Sequence, residues 1–349
     1  MLELHLEQAA AALGDDGMEV EPRQRTVQTV VGPLTIVEAM LIEQSAASFA
    51  MMHRVLPQTD VTGLKLWPCT LTLLAHLVDN VLPELASQGR SRHRGGLRVI
   101  ELGAGVGLLS LGVARWLATH TYNIMMPVGT SAHGPHTVVM TDPAIPLGGG
   151  YTSLQLLEAA IPSNADIIRC AQGPSEADVD AGVNCNVPES AALRLEARKL
   201  LWGDAADIAR VRDEFLGGGE AGGSCAGGAG FDLVLGSELL YREDSVEALV
   251  ETLAALLSSE SASSAVLAQR TLPPLRVRDA ASTLTAERSP LLILIPTGTR
   301  PTGTMALEHQ CIEAMARRGF SARTVDAGGQ CLLHIFQPKS ERVQYNNAG

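Results

Sequence analysis

Four short groups of residues combine chemistry-bearing side chains with positions at the ends of apolar runs. The first is Glu101-Leu102-Gly103-Ala104-Gly105-Val106-Gly107. Gly103 and Gly105 allow a sharp turn and let backbone approach a ligand closely. The spacing is GxGxG with an acid two residues ahead. It departs from the dinucleotide fingerprint, whose third glycine place, counted from Gly103, holds Leu108. S-adenosylmethionine has no pyrophosphate to seat on a helix N-terminus. It does carry a cationic amino-acid end, which the Glu101 carboxylate could hold directly or through water. The bland alternative is an ordinary strand-to-helix turn. Strand before, helix after and acid at the head favour S-adenosylmethionine.

The second group ends in Asp142, after Val139-Met140-Thr141. A carboxylate at a strand end can accept hydrogen bonds from both ribose hydroxyls, so it points to a nucleoside without saying which. With Pro143 next, a turn or helix-cap aspartate is equally consistent. The third group is Trp202-Gly203-Asp204. The indole could pack on adenine; taken alone, a core Trp with Asp204 capping the next helix is the stronger reading. The fourth is Ser237-Glu238-Leu239-Leu240-Tyr241, which sets a carboxylate and a phenol beside the expected methyl donor. A solvated acid and a core Tyr are the alternative. The Asp/Asn-Pro-Pro-aromatic element common in nucleic-acid amine methyltransferases is absent from this place.

These groups need strands to end where they begin. Apolar runs predict strands at Leu97–Leu102, Thr137–Thr141, Ala197–Trp202, Phe231–Gly236 and Leu291–Ile295, then Ala322–Val325 and Cys331–Phe336. Helical periodicity falls at 67–83, Leu108–Ala118, 151–160, Asp244–Leu257 and Thr304–Arg318, with Gly319 as a C-cap. Strand and helix alternate, the signature of a parallel sheet with crossover helices. The last two strands have no helix between them, so one should run antiparallel. The expected fold is α/β: a doubly wound, Rossmann-like, seven-stranded, mostly parallel sheet. Residues 26–38, around Gly32-Pro33, predict an N-terminal hairpin. Stretches near 119–136, 171–192, 217–230 and 258–289 are rich in Gly, Ser, Ala and Asp and read as surface insertions.

Composition narrows the class. The 349 residues are 46% hydrophobic, enough for a sizeable core, and the net charge of −12 argues against a phosphate backbone as substrate and for a basic partner. Cys69, Cys170, Cys185, Cys225, Cys311 and Cys331 form no CxxC pair, so reduced thiols are expected, with no zinc or redox motif. His133 and His136 read as members of a solvated loop rather than metal ligands. The acidic N-terminus does not read as a secretory signal, and no apolar run approaches membrane-span length. A cytoplasmic monomer is expected, with the nucleus as alternative compartment.

Taken in order, these pieces resemble a known family: the seven-stranded protein-lysine methyltransferases that modify calmodulin, valosin-containing protein, heat-shock chaperones and translation elongation factors. The resemblance rests on Gly63-Leu64-Lys65-Leu66-Trp67-Pro68, Val99 to Leu108, Val139 to Asp142, Leu201 to Asp204 and Phe231 to Tyr241. The family mostly has Asp at the place of Glu238. The resemblance implies that Trp67, Glu101, Gly103, Ala104, Gly105, Asp142, Trp202 and Ser237 line S-adenosylmethionine. It implies that Glu238 and Tyr241 stand near a lysine presented by a protein substrate. It divides the chain into an extension (1–60), a methyltransferase domain (61–338) and a tail (339–349). Two rivals stay open: a methyltransferase for histidine, a small molecule or nucleic acid, and a non-catalytic interaction protein that keeps the fold.

Overall fold

A computed structural model describes residues 20–41, 66–86, 96–122, 135–144, 151–165, 167, 193–216, 230–240, 243–257, 264–270, 303–327 and 331–339. Its strands are β1 (Val20–Thr29), β2 (Gly32–Leu41), β3 (Arg98–Leu102), β4 (His136–Asp142), β5 (Leu193–Lys199), β6 (Leu233–Ser237), β7 (Ser264–Arg270), β8 (Phe320–Asp326) and β9 (Cys331–Pro338). Its helices are α1 (Pro68–His76), α2 (Leu108–Tyr122), α3 (Ser153–Ala160), α4 (Ala205–Leu216), α5 (Val246–Leu256) and α6 (Gly303–Arg317).

Among the described residues the central sheet runs β5-β4-β3-β6-β7-β9-β8. The neighbours from β5 to β7 pair in parallel, and β9 pairs antiparallel with both β7 and β8. The expected α/β fold with a parallel central sheet is therefore present. Alternation along each inner strand builds one core on each face. Val99, Val138, Met140, Leu233 and Leu235 join α1, α2 and α3 on one side. Ile100, Leu102, Val139 and Val234 join α4, α5 and α6 on the other. Helices α1 and α2 meet closely: a Cβ on Gly112 would lie 2.5 Å from Leu74 Cδ2.

Several boundaries differ from the sequence expectation. The third strand is Leu193–Lys199 rather than Ala197–Trp202. It is the sheet edge, and it alternates buried Leu193, Leu195 and Ala197 with half-buried Arg194, Glu196 and Arg198, so its charge hid it. Leu200 to Trp202 form the turn after it, and α4, which no apolar run announced, follows. The strand after β6 is Ser264–Arg270, inside a stretch read as an insertion. Its partners β6 and β9 supply the pairing that its composition does not advertise. The run Leu291–Ile295 lies outside the described residues. His136 opens β4 rather than sitting in a loop, and its Nδ1 accepts a hydrogen bond from Leu97 N–H at 2.9 Å. His133 lies outside the described residues.

The hairpin forms around Gly32, with its own two-stranded sheet. Val27, Leu34, Ile36 and Val37 sink into the core shared with α1, α2 and α3. Polar ties fix it as well. Asn164 brackets Thr35, accepting from its N–H at 2.9 Å and donating to its carbonyl at 2.6 Å. Arg115 of α2 donates to Pro33 O at 2.6 Å. Glu38 accepts from Leu66 N–H at 3.0 Å, directly ahead of Trp67.

Candidate functional site

Strand order reverses between β3 and β6: β4 and β5 lie on one side of the pair, β7 on the other. Loops leaving the two central strands diverge, and the crevice between them is where ligands bind in open α/β sheets. Glu101 to Gly107, Asp142 and Ser237 to Glu238 all emerge at this end, because β3, β4 and β6 are parallel.

The glycine loop is tied at both ends. Ala104 N–H donates to Thr141 O at 2.8 Å, Thr141 Oγ1 donates to Glu101 O at 2.6 Å, and Gly107 N–H donates to Ala104 O at 2.8 Å. Gly103 has φ +59. A Cβ there would lie 2.9 Å from Leu239 Cδ2 and 3.2 Å from Trp202 Cζ2. Gly103 is thus required twice, for its left-handed backbone and for the space it leaves. That contact also brings Trp202 and the segment after β6 against the loop.

Glu101 is buried. Its Oε2 accepts from Ser110 N–H at 3.0 Å and from Ser110 Oγ at 2.6 Å, so the acid braces the first turn of α2. Burial pushes its pKa up to about 7, against the lowering effect of the Ser110 hydrogen bonds, and the nearby Asp142 charge adds to the rise. One carboxylate oxygen is therefore committed to the helix, a role that the motif alone does not show.

Asp142 is buried at the end of β4, and Ser153 Oγ donates to its Oδ1. The cap of α3 is Thr152, which exchanges hydrogen bonds with Gln155 in a capping box. Capping is thus done by another residue, and the Asp142 carboxylate stays at the strand end. Ala144, two residues on, has φ +61 and turns the chain away. Asp204 caps α4: its Oδ1 accepts from Asp207 N–H at 2.7 Å. That is the structural reading of Trp202-Gly203-Asp204, and it covers part of the indole too, since Trp202 packs half-buried against the core of α4, α5 and α6. Trp202 Nε1 is buried and has no hydrogen-bond partner among the described residues.

Across the crevice, Ser237 ends β6 and Glu238 follows, buried, with φ +60. Helix α1 packs over both. Trp67 stands at its N-cap in extended conformation, Pro68 is its first residue, and Thr70 Oγ1 lies 3.3 Å from Ser237 Oγ. Cys69 is buried in the same turn, and its thiol pKa is pushed up by hydrogen bonding to Cys331 first, then by burial and by the nearby Glu238. Trp67 therefore heads the turn that reaches the acid. Tyr241 lies outside the described residues. Ser110, Ser153, Cys69 and Thr70 were not singled out by sequence, since each acts on a partner supplied by a different element.

The residues fit S-adenosylmethionine on two observations. Gly103 has no side chain and so leaves the loop backbone within reach beside Trp202 and Leu239, and Trp202 carries a buried indole N–H that has no partner among the described residues and can donate to a ligand. Among the described residues, no group of three His, Cys, Asp or Glu could hold a metal ion, and no helix is long and apolar enough to cross a membrane.

No protein-family model and no curated protein matches the sequence. Solved structures that resemble the chain include an O-methyltransferase family protein from Burkholderia thailandensis, at 14% identity and a TM-score of 0.35. That match covers 77% of this chain and 59% of the Burkholderia protein. Magnesium protoporphyrin IX methyltransferase from Synechocystis PCC 6803, solved with bound S-adenosylhomocysteine, gives 13% identity and a TM-score of 0.34, covering 84% of this chain and 95% of that one. A methyltransferase from Pyrococcus furiosus gives 13% and 0.32, covering 84% and 98%. With overlaps this loose, the chemistry has to be read from the site's own residues.

Proposed function

We propose that the chain is an S-adenosylmethionine-dependent methyltransferase acting on a lysine side chain of a protein substrate. The observation that carries this reading is the meeting at Gly103. The glycine loop, the Trp202 ring and the segment bearing Glu238 converge there, with Asp142 at the adjoining strand end. When bound, S-adenosylmethionine would supply a sulfonium methyl group for transfer. Glu101 to Gly105, Asp142, Trp202, Ser237 and Trp67 would hold it.

Glu238 is suited to capture and aim an amine rather than to deprotonate it. A carboxylate beside an ammonium stabilises the charged form and raises its pKa. Neutralising a free lysine at pH 7 costs roughly 4–5 kcal/mol. Holding amine and methyl group in line offsets part of the barrier, since positioning supplies up to about 7–11 kcal/mol. Tyr241, three residues on, completes the acid-x-x-aromatic pattern and would hydrogen-bond the amine or give it a π face. The net charge of −12 suits a basic protein surface, met in the cytoplasm.

The test is incubation with tritiated S-adenosylmethionine and cell lysate, then mass spectrometry of labelled bands. Labelled lysine is the expected result, lost in Glu238→Ala. Label on histidine, nucleic acid or a small molecule would replace the acceptor and keep the donor. Binding without any transfer would support the non-catalytic reading.

A further inference from the structure

The first turn of α1 reaches two consecutive residues across the crevice. Thr70 Oγ1 lies 3.3 Å from Ser237 Oγ, and the neighbouring Cys69 thiol lies close enough to Glu238 for the charge and hydrogen bonding of the acid to raise its pKa. Glu238 itself sits at φ +60, a conformation that costs a non-glycine residue roughly 1–2 kcal/mol. A strained residue persists only where its surroundings over-determine it. Here those surroundings include the first turn of α1, directly after Trp67.

We propose that Cys69 is a positioning residue for Glu238: its S–H donates to the carboxylate and, together with the Thr70–Ser237 hydrogen bond, clamps the acid in its left-handed conformation. The proposal rests on the reading above in which Glu238 aims the acceptor amine.

The chemistry favours this direction of donation. A thiol carries one proton, and an ionised carboxylate is a far better acceptor than a neutral sulfur. Hydrogen bonding to Cys331 is the leading cause that lifts the Cys69 pKa far above the ordinary thiol range, and burial and the Glu238 charge and hydrogen bond lift it further; a rise from each partner means that the one proton is shared between Cys331 and the carboxylate, the stronger acceptor. Cys69 therefore stays a donor throughout the working pH range. It is a poor nucleophile for the same reason, which argues against a redox role for the Cys69 and Cys331 pair. Cys331 opens β9 opposite Arg270, just past the carboxyl end of β6.

Two measurements decide it. The first needs no activity. The S–H stretching band of Cys69, assigned by its loss in Cys69→Ala, should lie at lower frequency than those of the other thiols. It should move up in Glu238→Ala. The second is kinetic. Cys69→Ala should lower kcat about tenfold with the S-adenosylmethionine Kd unchanged, since one hydrogen bond to a charged, aimed group is lost. Cys69→Ser, which keeps a donor, should recover most of that loss. Thr70→Val should lower kcat about threefold. A band indifferent to Glu238→Ala, or wild-type kcat in Cys69→Ala, would overturn the proposal. If Cys69→Ala fails to fold, the band shift in Glu238→Ala and the Cys69→Ser kinetics decide. If the wild-type chain transfers no methyl group, the infrared result still decides the clamp, and the failure belongs to the functional reading.

Discussion

The two sides of the crevice are built differently. The donor side is made of backbone: a loop tied to β4 through Ala104 and Thr141, a left-handed glycine, and buried carboxylates whose hydrogen bonds go to Ser110 and Ser153. The acceptor side is a strained glutamate held by side chains of α1. Backbone constructions are written in short contiguous motifs, whereas side-chain clamps are assembled from distant elements. Substitutions on the donor side should therefore change ligand affinity, and those on the acceptor side should change turnover.

The largest effect should come from Gly103→Val. The φ of +59 is costly for a branched residue, and the added Cβ meets Leu239 and Trp202 within 3.2 Å. Relief requires the Leu239 side-chain tip to shift and the Trp202 ring to give way slightly, on top of the backbone strain. S-adenosylmethionine affinity should fall by more than about a hundredfold, the equivalent of roughly 3 kcal/mol. Calorimetric titration checks this; near wild-type affinity would remove Gly103 from the donor site.

Next in size is a pH effect at Glu101. Its folded pKa of about 7 stands above the ordinary value of 4.5. A raised folded pKa means the folded state holds its proton to higher pH than the unfolded state. The resulting stabilisation is complete below about 4.5 and disappears as pH rises through about 7. The full difference is about 3 kcal/mol. Urea denaturation of the ligand-free protein from pH 4.5 to 8 should show wild type losing stability relative to Glu101→Gln, which cannot ionise. Parallel curves for the two proteins would mean that Glu101 is not held as the structure shows.

The same contrast explains what could be read from sequence. The loop, Asp142 and the strand ends at Leu102 and Ser237 were legible, because apolar strands run straight into their functional residues. The order of elements followed from alternation, apart from α4, which no apolar run announced, and two strands. Ser264–Arg270 looks like the Ser- and Ala-rich residues around it and gains its identity from β6 and β9. Leu193–Lys199 hid behind its charges, whose Arg194 and Arg198 pair with Glu214 of α4 rather than with solvent. Glu101 was legible as a site acid but not as a brace, because Ser110 is an unremarkable helix residue until the turn is built. Cys69 and Glu238 are far apart in the chain, and no local pattern joins them.

Asp142 separates site from scaffold. Asp142→Ala should weaken S-adenosylmethionine binding about thirtyfold, by roughly 2 kcal/mol, from loss of hydrogen bonds to a charged group. Thr152→Ala, which removes the α3 cap ten residues away in sequence, should destabilise the fold by about 1 kcal/mol and leave affinity alone. Thermal denaturation with calorimetric titration of both variants separates the two roles. Equal loss of affinity in both would mean that Asp142 acts through α3.

The smallest effect on the folded chain, and the sharpest for the acceptor side, is Glu238→Gly. Glycine adopts φ +60 without strain, so the local backbone penalty of about 1 kcal/mol disappears. A buried carboxylate is removed at the same time, which also favours the folded state. Against this stands the extra freedom of glycine in the unfolded chain, of about 0.5–1 kcal/mol. The balance should be a gain in stability of about 1 kcal/mol, seen as a melting temperature higher by a few degrees, with methyl transfer lost and S-adenosylmethionine still bound. A residue kept for packing would give the opposite sign on stability. A residue kept for chemistry at the expense of the fold gives this one, because nothing but function maintains a glutamate where glycine is more comfortable.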